Sequence, residues 1–255
     1  MREISSKDNK IFRLCEQLAY KKYRDKLDLY LIEGENLLEE AVKNKADIKT
    51  VLARPDYGGG FFGMEDKAFF LSEKLFDQLS QTETSQGIMA IVEKHRISRD
   101  RFLKKDGGNF VVLDRLQDPG NIGTILRTAD AAGYRLAIVM KGTADVFSPK
   151  VVRAATGSLF RMPVVFMDSV GELMEFTRAA GKKLVATCFD TDRYYYDENL
   201  KENIALIIGN EGNGISRELI EGSDLKIKIP MHGNIESLNA SVAAGILMYE
   251  AVRPQ

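Results

Sequence analysis

The feature that most constrains the fold is an alternation of short apolar runs with amphipathic stretches in the second half of the chain. The runs have the length of buried strands, and the stretches between them place apolar residues at helical spacing. Strands that alternate with helices form a parallel sheet with helices on both faces. The sequence therefore predicts a parallel, doubly wound α/β sheet, with strands at 110–113, 136–140, 164–167, 183–188, 204–208 and 225–229 and helices at 122–132, 149–159, 169–180 and 216–221.

A smaller α/β sandwich is predicted ahead of this sheet, because the first 95 residues alternate in the same way and can bury a core of their own. The predicted strands are 29–34, 48–53, 68–71 and 88–93, and the predicted helices are 11–29, 35–43 and 72–79, the last capped by Ser72. A glycine-rich stretch at 57–63 is expected to be an exposed loop. A charged stretch that ends in Asp106-Gly107-Gly108-Asn109 predicts a linker, so we expect a first domain at 1–95, a linker at 96–109 and a second domain at 110–255.

The composition excludes several classes of protein. A net charge of −1 over 255 residues argues against a charge-dominated nucleic-acid binder. No apolar run approaches the roughly 18 residues of a membrane span, and the N-terminus lacks the apolar core of a signal peptide. Two cysteines and two histidines argue against a metal site. We therefore expect a cytoplasmic protein with no membrane partner and no bound metal.

Two basic segments stand out from this neutral background. Residues 1–26 hold eight Lys and Arg against four acids, and residues 94–105 hold six against one. Such segments can form a surface that faces a polyanion, or they can be the solvated faces of helices. The charge alone leaves both interpretations open.

Three segments combine a strand end, a polar turn and the start of a helix, which is where α/β sheets bind small molecules. The first runs from Leu113 to Ala129 and places Thr124 and Arg127 on one helix face. An arginine fixed beside Asn121 suits an anionic group such as a phosphate. The alternative is that Asn121 caps the helix and Arg127 forms a surface ion pair.

The second segment, 207–216, follows a buried strand and holds three glycines within six residues. Their spacing is neither that of a dinucleotide-binding loop nor that of a P-loop, so phosphate cradling is not indicated. The glycines allow a ligand to approach the backbone, or they only make a tight connection. The second interpretation does not explain Glu211, because a carboxylate in such a loop needs a partner or a function.

The third segment, 229–243, begins where a strand stops at Pro230. It continues through a polar loop into an apolar helix that we expect to end at Glu250. Ser237 and Asn239 lie where this helix is expected to begin. Their side chains can therefore cap the helix or face a ligand.

Together the three segments closely resemble the motifs of the SpoU-type, TrmH-like RNA ribose 2′-O-methyltransferases of the SPOUT superfamily. The resemblance covers residues 108–253 and rests on motifs in the family's order, namely Asn121-Ile122-Gly123 with Arg127, Gly209 to Gly214, and Ile229-Pro230-Met231 through Ser237-Leu238-Asn239. More weakly, residues 1–95 resemble the RNA substrate-binding domain often fused ahead of it, which is similar to RNA-binding ribosomal proteins. The matching patterns there are Lys22-Tyr23-Arg24, Ile32-Glu33-Gly34 and Gln86-Gly87.

This resemblance implies a parallel-sheet domain with a trefoil knot, a homodimer, and S-adenosylmethionine bound among the knot loops. Carried over by position, the cofactor contacts are Thr187, Gly209, Ile229 and Leu238, and the catalytic residues are Asn121, Arg127, Glu211, Ser237 and Asn239. In the family, the arginine that matches Arg127 is thought to act across the dimer interface and is proposed as the general base.

Arginine is a poor base, because a guanidinium stays protonated throughout the pH range in which proteins work. We therefore expect Arg127 and Asn121 to hold the target phosphate and to stabilise the developing alkoxide. The other three catalytic residues, Glu211, Ser237 and Asn239, are expected to orient the ribose and Arg127. The alternative base is His232, inside the third segment.

The resulting hypothesis is an enzyme that transfers a methyl group from S-adenosylmethionine to a ribose 2′-hydroxyl in structured RNA. We expect ribosomal RNA rather than tRNA, because tRNA-specific relatives often lack the N-terminal domain. The alternatives are a non-catalytic RNA-binding or ribosome-assembly module, a tRNA 2′-O-methyltransferase, and a resistance methyltransferase that protects the ribosome from an antibiotic. A nucleotide-binding oxidoreductase is disfavoured by the glycine spacing.

Overall fold

The computed structural model describes residues 2–95, 97–103 and 108–254. The chain divides into two units, one made of residues 1–96 and 145–160 and the other of residues 97–144 and 161–255. Part of the predicted linker, Arg96 and 104–107, lies outside the described residues. Another part forms a 3₁₀ turn, Arg99–Phe102, in which Phe102 is buried. The domain boundaries inferred from the sequence stay a prediction.

The first unit contains a mixed sheet. Its elements along the chain are β1 (Arg2–Ile4), α1 (Lys10–Leu18), α2 (Lys21–Leu27), β2 (Leu29–Glu33), α3 (Glu35–Lys43), β3 (Ile48–Ala53), β4 (Ala68–Leu71), α4 (Glu73–Leu79) and β5 (Ile88–Glu93). The spatial order of the strands is β1-β4-β3-β5-β2; β1, β4 and β3 run parallel, and β5 is antiparallel to both β3 and β2. Helices α1 and α4 bury their apolar residues in one common core with the sheet, which includes Phe12, Leu18, Leu75 and Phe76.

Sequence periodicity predicted most of these elements and missed two features. The predicted helix at 11–29 is two helices, because Tyr20 takes extended backbone angles (φ −102°, ψ 132°) between α1 and α2. The apolar positions that predicted this helix, Ile11, Leu14, Leu18 and Ala19, all lie before the break, and residues 20–26 contain no aliphatic residue that continues the pattern. The three-residue strand β1 is too short to carry a pattern. Ser72 occupies the cap position of α4, but its side chain makes no capping hydrogen bond.

A buried ion pair ties residues 145–160 into the first unit. Arg24 is only 4% exposed and donates to Oδ2 of Asp145 from Nε at 2.8 Å and from Nη2 at 2.5 Å. Its Nη1 donates to the carbonyl of Leu18, the last residue of α1, at 2.6 Å. Nearby, the rings of Phe147 and Tyr30 pack with their centroids 5.1 Å apart. These contacts explain why the segment that begins at Asp145 belongs to the first unit.

Replacing Asp145 by alanine is expected to destabilise the first unit strongly. The substitution leaves the Arg24 guanidinium buried without its carboxylate, which costs about 3–5 kcal/mol in the free energy of unfolding. Urea unfolding of the full chain measures this loss. Glu39→Ala is the matched control: it breaks the exposed pair with Lys43, whose Nζ lies 3.1 Å from the carboxylate, and should cost less than about 0.5 kcal/mol. Similar losses in both variants would contradict the structural role of the buried pair.

The second unit is built on six parallel strands. Its elements are, in chain order, β6 (Phe110–Leu113), α5 (Pro119–Ala131), β7 (Leu136–Met140), β8 (Val164–Met167), α7 (Val170–Ala179), β9 (Lys183–Thr187), β10 (Ile204–Ile208), α8 (Arg217–Glu221), β11 (Leu225–Ile227) and α9 (Ala240–Ala251). Helix α6 (Pro149–Ala155) lies between β7 and β8 along the chain but belongs to the first unit. The spatial order is β11-β9-β10-β6-β7-β8, and every neighbouring pair is parallel. The predicted parallel sheet is therefore confirmed.

The burial of the strands explains why the sequence predicted them well. All residues of β6, β7 and β10 are buried, so these strands appear as unbroken apolar runs. β9 and β11 end one and two residues earlier than expected, which leaves Ile229 outside the sheet. α6 ends at Ala155 rather than at 159, because Thr156 takes the left-handed conformation (φ 48°) and closes the helix. Among the described residues, no helix combines the length and the apolar character that crossing a bilayer requires.

Candidate functional site

The three segments singled out in the sequence meet at one edge of the second unit's sheet. The strands β11, β9, β10 and β6 are consecutive neighbours and all run in the same direction. Their carboxyl ends therefore lie along a common edge, where open α/β sheets place ligand sites. The loops that follow these strands are 228–239, 188–203, 209–216 and 114–118. This edge is the candidate site.

Glu211 joins the second segment to the first. Its carboxylate accepts hydrogen bonds from the backbone N–H of Asp118 at 3.0 Å and of Gln117 at 3.1 Å. A third hydrogen bond comes from the side-chain amide of Asn121 at 3.2 Å. The carboxylate thus has the partners that its place in a glycine-rich loop requires, and it fixes the start of α5.

Asn121 also contacts the third segment. Its Oδ1 accepts a hydrogen bond from Nδ2 of Asn239 at 3.0 Å, and the residue is buried. The Oδ1 of Asn239 in turn accepts from the backbone N–H of Ser241 at 2.9 Å and so caps α9. The chain Glu211–Asn121–Asn239 therefore links residues that lie 90 and 118 positions apart.

The interpretation of Asn121 as the cap of α5 is wrong. Asp118 occupies that position, and its Oδ1 accepts from the backbone N–H of Asn121 at 2.7 Å. This arrangement leaves the side chain of Asn121 available for Glu211 and Asn239. Of the two roles that the sequence offered for Asn239, it performs the capping one and contacts Asn121 as well.

Hydrogen bonding controls the ionisation of Glu211. Partial burial acts to raise its pKa. The backbone N–H groups of Gln117, Glu211 and Asp118 and the amide of Asn121 outweigh this effect and hold the pKa below its ordinary value. Glu211 is therefore a carboxylate at neutral pH, and it acts as an acceptor that holds loops together.

The sequence interpretation missed Asp114, which joins two loops at the same edge of the sheet. This residue directly follows β6, is 3% exposed, and accepts a hydrogen bond from the backbone N–H of Ser216 at 2.8 Å. Nε of Arg115 donates to it at 3.1 Å. Asp114 thus joins the loop after β6 to the loop after β10. A charged residue at the end of a buried strand was the signal that could have revealed it.

The glycine-rich loop is closed on itself. The backbone groups of Asn210 and Gly214 exchange hydrogen bonds at 3.0 and 2.9 Å, and Nδ2 of Asn210 donates to the carbonyl of Arg115 at 2.8 Å. A Cβ on Gly209 would lie 2.4 Å from the carbonyl carbon of Gly214 and from the nitrogen of Ile215. The chain's own backbone therefore explains why a glycine is needed at position 209.

Arg127 points elsewhere than Asn121. Arg127 and Thr124 are both exposed on α5, as the shared face predicted, while Ile125, Leu126 and Ala129 are buried. Six residues of an α-helix turn through about 600°, so the side chains of Asn121 and Arg127 leave α5 about 120° apart. Arg127 therefore projects from another side of α5 than Asn121. Ser237 is exposed in the loop before α9.

The four predicted cofactor contacts follow neighbouring strands. Thr187 ends β9, Gly209 follows β10, and Ile229 and Leu238 lie in the loop after β11. Thr187, Ile229 and Leu238 are half-buried. Residues 229–239 form neither helix nor strand, so their backbone groups are not committed to a ladder and can bind a ligand. Half-buried apolar side chains beside such backbone suit an adenosine that carries a methionine chain, and these residues fit S-adenosylmethionine.

A parallel sheet whose carboxyl edge carries these joined loops is the architecture of known RNA methyltransferases. The chain belongs to the SpoU rRNA methylase family, whose model matches residues 108–249. A second family model, the MRM3-like substrate binding domain, matches residues 9–90. The predicted family and the predicted fold class, an α/β substrate-binding domain ahead of a SPOUT-type parallel-sheet domain, are confirmed.

Individual relatives match over almost the whole chain. The chain is 36% identical over 257 residues to the 23S rRNA (guanosine(2553)-2′-O)-methyltransferase RlmP of Bacillus subtilis (strain 168), with 98% of each chain covered. It is 32% identical to the 23S rRNA (uridine(2479)-2′-O)-methyltransferase of Streptomyces viridochromogenes, over 99% of this chain and 92% of the relative. Among solved structures, the AdoMet-bound rRNA methyltransferase from Sinorhizobium meliloti superposes with a TM-score of 0.85 at 32% identity, over 98% of this chain and 97% of that one.

Substitution of Glu211 by glutamine tests the carboxylate. Glutamine keeps the size but loses the charge and turns one acceptor into a donor, so we expect a loss of about 1 kcal/mol at neutral pH, modest because the residue is exposed. The folded-state pKa lies below the ordinary value of 4.5. The contribution is therefore present above that value and is lost as the pH falls through the folded-state pKa.

Urea unfolding of wild type and Glu211→Gln, at neutral pH and at about pH 3, measures this effect. The difference in the free energy of unfolding should shrink on acidification. Glu218→Gln on the exposed face of α8 is the control and should differ little from wild type at either pH. A difference for Glu211→Gln that grows in acid would show that the sign of the pKa shift is wrong.

Proposed function

We propose that this chain transfers a methyl group from S-adenosylmethionine to a ribose 2′-hydroxyl of structured RNA, and that the RNA is ribosomal. The observation that carries the proposal is the hydrogen-bonded chain Glu211–Asn121–Asn239, which joins all three family segments at the carboxyl edge of one sheet. Relatives matched over nearly the full length are named ribosomal RNA 2′-O-methyltransferases. A ribosomal RNA substrate also implies a cytoplasmic location.

The cofactor site is assigned to the loops after β9, β10 and β11. Bound S-adenosylmethionine supplies an electrophilic methyl group on a sulfonium. Gly209, whose backbone packs against Gly214 and Ile215, follows β10 at this edge, and Ile229 and Leu238 supply apolar surface from the loop after β11. Thr187 lies at the end of the neighbouring strand β9. Holding the reactants in line can lower the barrier by several kcal/mol, with about 7–11 kcal/mol as the extreme.

Asn121 is assigned to positioning. Its amide donates to Glu211 and accepts from Asn239, and the residue is only 9% exposed. A side chain so engaged has little capacity left for an RNA phosphate. Asn121 and Glu211 therefore hold the loops of the cofactor site and the start of α9 in place, and Ser237, exposed beside them, faces the ribose.

Arg127 is assigned an electrostatic role in the reaction. A guanidinium is a cation with several N–H donors, so Arg127 holds a phosphate of the target nucleotide and stabilises the negative charge that develops on the 2′-oxygen. A planar guanidinium can donate two parallel hydrogen bonds to a phosphate, which a lysine cannot.

We also propose a homodimer in which Arg127 serves the partner's site. Arg127 is exposed and leaves α5 about 120° away from Asn121, so it projects from a different side of the helix. Helix α9, which packs beside α5, exposes Val242, Tyr249 and Val252 by 51%, 54% and 45%. Such an apolar face on a helix is covered in an oligomer. Light scattering should give the mass of a dimer, and a monomer at assay concentrations would contradict this part of the proposal.

A methylation assay with purified protein, tritiated S-adenosylmethionine and ribosomal RNA tests the function. Arg127→Ala and Arg127→Lys should both lose roughly 100-fold or more in turnover, because the lysine keeps the charge but not the fork. Thr124→Ser, one turn away on the same exposed face, is the control and should stay near wild type. Near-normal turnover of Arg127→Lys would contradict the role of the fork, and an inactive wild type with several ribosomal RNAs would contradict the proposed substrate.

A further inference from the structure

The corner between α1 and α2 exposes an aromatic ring. Tyr20 lies at this corner and is 67% exposed. One exposed ring on a protein surface needs no explanation by itself. Its surroundings give this ring a distinct character, because the residues around the corner are mostly basic.

The cations of the corner project outward. Lys21, Lys22 and Lys26 on α2 are all exposed. On α1, Lys10 and Arg13 are also exposed, on the face opposite the buried Phe12 and Cys15. The corner thus presents a tyrosine ring beside the three lysines of α2, and two further cations lie toward the other end of α1.

Carboxylates in the same region are largely matched by cations of the protein. Asp8 pairs with Arg13. Asp25 accepts from Nζ of Lys94, which is mostly buried, at 2.8 Å, and lies 4.0 Å from Lys21. Glu16 is the remaining acid of residues 8–26 and is exposed on α1. The local excess of positive charge is therefore available to an external polyanion.

The corner is also rigid. Nη1 of Arg24 donates to the carbonyl of Leu18, and the rest of the guanidinium is fixed by Asp145. The carbonyl of Tyr20 accepts from the N–H groups of Tyr23 and Arg24 at 3.1 and 3.3 Å. Arg24 is held inside, whereas the three lysines of α2 are exposed. A ring on such a fixed corner binds a flat partner with little loss of conformational entropy.

The surface around Arg54, which follows β3 in the same unit, is rich in carboxylates. There Arg54 is surrounded by Asp56, Glu73 and Asp77, with nitrogen–oxygen distances of 3.0, 2.6 and 3.4 Å. Three carboxylates around one guanidinium would repel a phosphate backbone. The α1–α2 corner is therefore the better candidate for contact with RNA.

We propose that the α1–α2 corner binds a single-stranded segment of the substrate RNA, with one base stacked on Tyr20 and neighbouring phosphates held by Lys21, Lys22 and Lys26. Unpaired bases that stack on aromatic side chains, beside cations that hold the backbone, are the usual mode of single-strand recognition. This inference rests on the proposed function, because it says where the first unit contacts the RNA on which the enzyme acts.

Fluorescence anisotropy with the full chain tests the corner. The probe is a fluorescein-labelled RNA hairpin with a long unpaired loop, and the comparison is a fully paired duplex of the same length. Tyr20→Ala should weaken hairpin binding by about 5- to 100-fold, since stacking on an aromatic ring contributes about 1–3 kcal/mol per base. Tyr20→Phe keeps the ring and should bind within about twofold of wild type.

Charge variants complete the experiment. Lys22→Glu should weaken RNA binding and lower the slope of log Kd against log salt concentration by about one. The matched control, Lys45→Glu, changes an exposed lysine beyond the end of α3 and should leave both quantities unchanged. Urea unfolding of every variant should match that of wild type, which verifies that the first unit is folded.

Three results would overturn the proposal: wild-type RNA binding by Tyr20→Ala, a loss in Tyr20→Phe as large as in Tyr20→Ala, or dissociation of the oligomer by Tyr20→Ala. The last would assign the corner to contact between copies of the chain. The proposed function fails separately. A wild-type protein that binds the hairpin through Tyr20 but transfers no methyl group would refute the enzyme and leave the RNA contact in place.

Discussion

The interaction on which the candidate site depends is the set of hydrogen bonds accepted by the Glu211 carboxylate. Two of its donors are backbone N–H groups at the entry to α5, where the helix has unsatisfied donors and the positive end of its dipole. A negative charge is stabilised there, so a residue from the loop after β10 becomes fixed to the loop after β6. Through Asn121 the same connection reaches Asn239 and the first turn of α9.

This interaction explains why the residues of the site are polar but not reactive. The side chains of Asn121 and Asn239 hydrogen-bond to each other. Asn239 and Asp114 also accept hydrogen bonds from backbone N–H groups, those of Ser241 and Ser216. A methyl transfer from a sulfonium needs alignment more than it needs a strong base. We propose that a rigid edge, which holds the cofactor loops, and one guanidinium, which stabilises charge, together meet this need.

Most of the second unit's fold could be predicted from the sequence, because β6, β7 and β10 are buried on both faces and appear as plain apolar runs. The break at Tyr20 was missed, although the apolar positions at helical spacing stop at Ala19 and residues 20–26 contain no aliphatic residue. Apolar periodicity does not show whether a chain is threaded through a knot, which is a rare feature of proteins. Only the resemblance to a family implied a knot here. At the site, the motif residues were found, but their partners were not. Glu211 was recognised as needing a partner, whereas the capping role of Asp118 and the burial of Asp114 depend on the loop conformation, which residue types alone do not determine.

Double-mutant analysis of Asn121 and Asn239 tests the account most directly. The measured quantity is kcat/KM for methylation of ribosomal RNA in Asn121→Ala, Asn239→Ala and the double variant. If the two side chains act through one hydrogen-bonded chain, the double variant should be about as impaired as the worse of the single variants. Losses that multiply, as for independent residues, would contradict the claim that one connected chain of side chains organises the site.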